Sequence, residues 1–307
     1  MLCTSHAEID STMILVAGSA NLDFVVRAPH IPAPGETVLG HDFKTFPGGK
    51  GANQAIACAR AGAAVTEMLL ALGNDAFALP LEESLNAAGV RTHIKRVPEQ
   101  PTGIAFICVS DDAENAITVA PGANHALLPI DLVPLAAFSH LLLQLETPID
   151  TVTAFARAAR RQGVKVVLNA APAQSLSGEL LALIDILIVN EGELAALSNC
   201  QGSVEQCLER IQVPCVVVTL GARGSCARVD GEFLTQAAFP VTPVDTTAAG
   251  DTFCGAFVAA LSQKQCVAHA LRQASAAGAL ACTRRGAQSS IPTHAEVQTF
   301  LNSNAEP

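Results

Sequence analysis

The run Asp245-Thr246-Thr247-Ala248-Ala249-Gly250-Asp251-Thr252-Phe253 reads as an anion-binding turn that passes directly into a helix. Ala248, Ala249 and Gly250 are small enough for backbone N–H groups to converge on an anion, and a helix start adds a favourable field. Asp251 then sits beside that anion. Its charge repels phosphate, but it suits a base that takes the proton of a hydroxyl attacking a phosphoryl group. Kinase chemistry follows, with Asp251 as base and the Ala248–Asp251 backbone as anion hole. The same run also reads as a Thr246 or Thr247 cap on a helix whose Phe253, Ala256, Phe257, Ala260 and Leu261 face a core, and the two readings are compatible.

Gly48-Gly49-Lys50-Gly51-Ala52-Asn53-Gln54 supplies a second glycine-rich helix start, where Gly49, Lys50 and Asn53 suit sugar hydroxyls. It lacks the longer glycine run and the Lys-Ser/Thr pair of a P-loop. Asn21 and Asp23 follow the first apolar run, at the strand end where open α/β sheets bind ligands, and together can read a diol or simply close an Asx turn. Glu146, Asn190, Glu191 and Glu193 occupy equivalent strand ends. Carboxylates there suit water or magnesium, or serve as helix-start charges. Thr219-Leu220-Gly221-Ala222-Arg223-Gly224 is a glycine-bracketed turn that either passes beside a nucleotide or only joins two strands.

These residues need a scaffold. Apolar runs at residues 13–19, 65–72, 140–145, 164–171, 186–190 and 215–220 lack alternation, as expected of strands covered on both faces. Helical patterns fall at 50–61, 75–88, 148–162, 203–211, 247–262, 266–280 and 294–302. The alternation predicts an α/β fold, a three-layer doubly wound and mostly parallel sheet. Residues 24–46 and 92–120 break the rhythm and predict a small β-sheet lid, a decorative insertion or an oligomer interface. The fold is expected over residues 13–304, with 1–12 as an extension.

Composition narrows the function classes. Half of the 307 residues are hydrophobic, yet the aromatics are twelve Phe with no Trp or Tyr, so the core must be built from small and aliphatic side chains. Eighteen Lys and Arg against twenty-eight Asp and Glu give a net charge of −10, and no basic run suits nucleic acid. No apolar stretch reaches the roughly 18 residues of a membrane span, and the first twelve residues lack the pattern of a secretory signal. Ten cysteines without metal-ligand spacing fit small buried hydrophobes in a reducing, cytoplasmic setting.

Taken in order, Gly18-Ser19-Ala20-Asn21-Leu22-Asp23, the Gly-Gly-Lys-Gly-Ala-Asn-Gln run, Asn190-Glu191-Gly192-Glu193, the Thr-Leu-Gly turn and the 245–253 signature resemble the ribokinase-type carbohydrate kinases over nearly the whole chain. The resemblance implies ATP-dependent phosphorylation of D-ribose at O5, with another sugar or nucleoside kinase, such as a fructokinase or pseudouridine kinase, as the alternative. It implies that Asn21, Asp23, Gly49, Lys50, Asn53 and Glu146 surround the sugar with Asp251. Asn190, Glu193, Thr219, Gly221, Gly224 and Ser275 fall on the nucleotide side, Ser275 standing where relatives often carry Asn or His. The resemblance further implies magnesium, a homodimer through the small sheet, and a potassium site. That site would be built from Asp245, the carbonyls of Thr247, Ala281, Arg284 and Gly286, and the Ser290 hydroxyl. The chain departs from the family at Gly73-Asn74-Asp75-Ala76-Phe77-Ala78, which lacks the second glycine of a structural motif.

Overall fold

The computed structural model describes residues 12–112 and 114–304; most of the expected extension at 1–12 therefore lies outside the described residues. The strands are β1 (Met13–Ala17), β2 (Asn21–Ala28), β3 (Asp42–Gly48), β4 (Thr66–Leu72), β5 (Arg91–Arg96), β6 (Gly103–Ser110), β7 (Asn115–Ala120), β8 (Phe138–Leu143), β9 (Lys165–Asn169), β10 (Ile186–Asn190), β11 (Cys215–Thr219), β12 (Ser225–Val229) and β13 (Glu232–Gln236). The helices are α1 (Lys50–Arg60), α2 (Ala78–Ala87), α3 (Ile149–Arg161), α4 (Gly178–Leu183), α5 (Glu191–Ser198), α6 (Val204–Glu209), α7 (Ala249–Ser262), α8 (Val267–Cys282) and α9 (His294–Ser303).

Nine strands form one sheet in the order β13-β12-β11-β10-β9-β8-β1-β4-β5. Seven run parallel, and β12 and β13 add an antiparallel edge. The parallel strands other than the edge strand β5 are largely buried on both faces, which explains their unbroken apolar runs. Two cores result: Ile56, Leu70, Phe257 and Leu271 lie on the α1/α7/α8 face, and Leu141, Phe155, Leu168 and Leu208 lie on the α3/α6 face. Among the described residues no helix is long and apolar enough to cross a membrane.

A second sheet, β3-β2-β6-β7, stands apart. It accounts for the irregular segments with one correction: of residues 92–120, the first part belongs to β5, which pairs in parallel with β4 at the edge of the large sheet. Charged Arg91, Lys95 and Arg96 hid that strand, because an edge strand need not be apolar on both faces. Helices α4 and α5 were also absent from the expected pattern, and both are too short to show a clear period.

The Ala-rich composition has a geometric use where α1 meets α7. A Cβ at Gly255 would lie 2.5 Å from Ala57 Cβ and 2.6 Å from Gln54 O, so the helices approach closely only because that carbon is missing. This contact places residues 53 and 54 against the first turn of α7. The altered Gly73-Asn74-Asp75 segment is structural: Asp75 accepts N–H bonds from Thr102 and Phe77, tying the approach to β6 onto the start of α2.

Candidate active site

Ala248 precedes α7 in the left-handed region, at φ 58°. The turn it creates leaves donors free. Ala249 N donates to Thr246 O and Thr252 N to Ala248 O, but the N–H groups of Ala248, Gly250 and Asp251 meet no acceptor among the described residues. Three free donors at one helix start have the arrangement that suits an anion. A Cβ built on Gly250 meets nothing within 4 Å, so the approach to these donors is open.

Asp251 lies in that first turn, and both of its carboxylate oxygens are held from α1. Asn53 Nδ2 donates to Oδ2 and Gln54 Nε2 to Oδ1, each at 2.9 Å. The cleft in front is lined by Lys50, Asn169, Asn190, Glu193, Thr219, Ala248, Gly250, Asp251 and Cys254, among others, with a volume of about 160 Å³. Lys50 is held above the ordinary lysine range, first by the charge of Asp251 and then by Glu146 and Glu193, against the opposing effect of burial. It therefore supplies a fixed positive charge beside the anion hole.

The sugar-side residues gather where β2 of the small sheet meets the start of α1. Gly49 has φ 89°, and a Cβ there would lie 2.7 Å from Ala20 Cα and Asn21 N. Only glycine allows that approach. Asn21 Oδ1 accepts from Asn124 Nδ2, which leaves its own amide N–H groups available. Asp23 is buried, and burial, reinforced by the charges of Glu146 and Asp251 and opposed by Lys50, pushes its carboxyl up to about 7. A carboxyl titrating near neutrality can donate as well as accept. Glu146 accepts from Ser19 Oγ at 2.5 Å and from Lys50 N at 3.1 Å, pinning the start of α1.

On the far side of the cleft, Asn190 and Glu193 form a reciprocal capping box at the start of α5: Glu193 N donates to Asn190 Oδ1 and Asn190 N to Glu193 Oε2, both at 2.8 Å. Burial raises the Glu193 carboxyl. The helix-start reading of this motif is therefore fulfilled within the cleft itself. Gly221 and Gly224 bracket a single turn closed by Leu220 N on Gly224 O. Ser275, on α8, shares a hydroxyl–hydroxyl bond of 3.1 Å with Ser225 of β12, which pairs directly with the cleft-lining Thr219.

Asp245 ties the anion-hole loop to the loop after α8, accepting N–H bonds from Thr247 and Gly286 at 2.9 Å each. Ala281 O accepts Arg284 N, while the Arg284 guanidinium turns away to Glu296. Buried Ser290 donates to Ala287 O. Gly286 thus meets Asp245 through its N–H.

The sequence model of the pfkB family of carbohydrate kinases matches residues 11–294. The chain belongs to the pfkB family of carbohydrate kinases. Among its pfkB-family relatives, a ribokinase of Haemophilus influenzae is 41% identical over 300 residues, covering 94% of this chain and 98% of that protein. A solved ribokinase of Thermotoga maritima superposes with a TM-score of 0.87 at 39% identity, covering 94% of this chain and 99% of that one. The Arabidopsis thaliana ribokinase solved with ribose and ATP gives 0.87 at 34% identity, covering 95% and 99%.

Sequence reasoning missed five polar residues in or near this pfkB-family site: Ser19, Gln54, Asn124, Gln144 and Asn169, all buried. Gln144 carried a legible signal, a single amide inside the run Leu141-Leu142-Leu143-Gln144-Leu145. A polar side chain in such a run must find a buried partner.

Proposed function

We infer that this protein transfers the γ-phosphoryl group of ATP to O5 of D-ribose, giving ribose 5-phosphate and ADP. One observation carries the reading: a carboxylate, Asp251, is held by two amides beside three free N–H donors at the start of α7. The named relatives, one of them solved with ribose and ATP, give the substrate. Asn21 and Asp23 bind sugar hydroxyls together with Gly49, Lys50 and Asn53, and Glu146 holds the Lys50 end of that loop. Asp251 takes the O5 proton as O5 attacks. Ala248, Gly250 and Asp251 N–H groups and the Lys50 ammonium hold the charge of the transferring phosphoryl, and electrostatic preorganisation of this kind is the larger expected contribution. Asn190, Glu193, Thr219, Gly221, Gly224 and Ser275 serve the nucleotide side, Ser275 from beside Ser225.

Ribose, deoxyribose, fructose and adenosine, assayed for ATP-dependent phosphorylation at matched concentrations, test this directly. Ribose is expected to turn over fastest. A faster hexose or nucleoside moves the substrate elsewhere in the family.

Magnesium fits through the nucleotide. Among the described residues no cluster of three or more His, Cys, Asp or Glu could hold a metal ion alone, and magnesium commonly binds by phosphate oxygens and retained waters. When bound it neutralises phosphate charge. We place potassium at the Asp245 loop pair, with the carbonyls of Thr247, Ala281, Arg284 and Gly286 and the Ser290 hydroxyl as its other ligands, a reading supported by Asp245 tying those two loops together. That set suits a large, weakly hydrated ion. Activity is expected to rise when potassium replaces sodium at constant ionic strength with magnesium saturating, and Asp245→Ala to abolish the response. Equal rates in the two salts refute potassium selectivity.

We assign the small sheet a second role as a dimer contact. Val26, Phe43 and Phe106 are exposed on it, and Phe24 packs against both Phe43 and Phe106. Sedimentation should give the mass of two chains at assay concentration, and a single-chain mass rejects the assignment. The nine described cysteines are free thiols, in keeping with a reducing cytoplasm.

A further inference from the structure

A buried chain of three carboxamides ends on Asp251. Gln144 Nε2, at the end of β8, donates to Gln54 Oε1 at 2.7 Å. Gln54 Nε2 spends both of its hydrogens, one on Asp251 Oδ1 and one on Asn169 Oδ1, each at 2.9 Å. Asn169 Nδ2 continues to Ile188 O at 3.1 Å. Gln54 and Gln144 are both 0% exposed and Asn169 is 7% exposed, so water does not compete for these bonds.

The direction of the chain is set by charge. An ionised carboxylate only accepts, so Gln54 must turn its amide nitrogen toward Asp251. Its oxygen then points the other way and requires a donor, which Gln144 provides. Gln144 fits against Gly18, where a Cβ would come within 1.9 Å of Gln144 Oε1, an oxygen that is buried without a partner. Asn53, the other partner of Asp251, differs in one respect: its Oδ1 is buried without a partner, and in the reading above this side chain also serves the sugar. Gln54 has no such second duty: its amide hydrogens go to Asp251 and Asn169 and its oxygen accepts from Gln144.

We propose that Gln54, oriented by Gln144 and Asn169, is a positioning residue that aims the Asp251 carboxylate at the sugar hydroxyl. This rests on Asp251 being the base. The charged or titratable groups facing Asp251 are Lys50 on α1, Asp23 on β2, Glu193 on α5 and Cys254 on its own helix. None of them belongs to the amide chain, so substitutions within the chain leave their charges in place.

Four variants test it, each checked by circular dichroism and by ATP and ribose affinity. Gln54→Met removes the donor to Oδ1. It is expected to lower kcat roughly 10- to 100-fold, through misaim of the base, with the KM for ATP little changed. Gln144→Glu touches neither base nor substrate. Its neutral carboxyl can still donate to Gln54 Oε1, whereas its ionised form forces Gln54 to turn its oxygen toward Asp251. That variant should therefore acquire a new loss of rate on the alkaline side, which Gln144→Met should not show.

Parent-like kcat in folded Gln54→Met overturns the proposal, as does a Gln144→Glu profile that matches Gln144→Met. Should the buried variants not fold, the parent protein decides. One glutamine side-chain amide pair, followed by NMR, should move from its parent position in Asp251→Asn, because Gln54 Nε2 donates to that carboxylate; no such change overturns the proposal. A near-normal rate in Asp251→Asn instead rejects the base assignment itself. Collapse of that variant alongside parent-like Gln54→Met and Gln144→Glu rejects only the positioning role.

Discussion

Asp251→Asn is expected to lower kcat by roughly 10²–10⁴-fold while leaving ribose and ATP affinity within a few-fold of the parent. The size follows from what is lost. An amide cannot accept the O5 proton, whereas the free N–H groups of the anion hole and the Lys50 charge remain to hold the phosphoryl group. The fold should survive, for a specific reason. Both carboxylate oxygens now face amide donors, so an Asn at 251 must turn its NH₂ toward one of them. Asn53 can rotate its amide to meet it, because Asn53 Oδ1 has no present partner and becomes the new acceptor. Gln54 cannot rotate without breaking its bonds to Gln144 and Asn169. Stopped-flow or steady-state kinetics with isothermal titration of both substrates checks the split. An intact rate removes Asp251 from the base role, and lost ribose affinity makes it a ligand instead.

The geometry of this site was legible where it is local in sequence. The 245–253 run and the 48–54 run each carry their small residues and polar groups within one turn of a helix, so the free donors of α7 and the tight approach at Gly49 follow from residue type alone. The Asn190/Glu193 box is local in the same sense. What joins these pieces is not. Gln54 meets Gln144 across 90 residues, Asn169 across 115 and Asp251 across 197, and nothing near residue 54 distinguishes a glutamine that anchors a base from one that faces water. Strand β5 was read as part of the lid for a related reason. An edge strand is recognised by its neighbour, β4, and its own charged sequence argues for exposure. The Ala-rich core could be expected from composition, but its consequence, helices close enough at Gly255 to bring α1 amides to Asp251, depends on which faces meet.

Gly250→Val is expected to fold normally and to lose ATP-dependent turnover by roughly 10²-fold or more, an effect comparable with removing an oxyanion donor. The position tolerates a side chain as far as the protein is concerned: a Cβ meets nothing within 4 Å, and the backbone there is not in the left-handed region. Gly250 lines the same cleft as Ala248, Asp251 and Lys50, so under the proposed function this open space borders the phosphoryl site. Two γ-methyls placed there occupy volume that the transferring phosphoryl must enter, and they desolvate its oxygens without offering a donor. The sugar residues Asn21, Asp23 and Asn53 approach from β2 and α1, so ribose binding should change far less than turnover. Gly250→Ala should fall between the parent and Gly250→Val, because one methyl intrudes less than an isopropyl group. Thermal melts, ribose titration and initial rates at saturating ATP separate the possibilities. A destabilised variant places Gly250 in a packing role, and equal loss of ribose affinity and turnover shows that the two substrates share this wall. Parent-like turnover would mean that the phosphoryl group passes elsewhere and that the free donors of α7 are only an uncapped helix start.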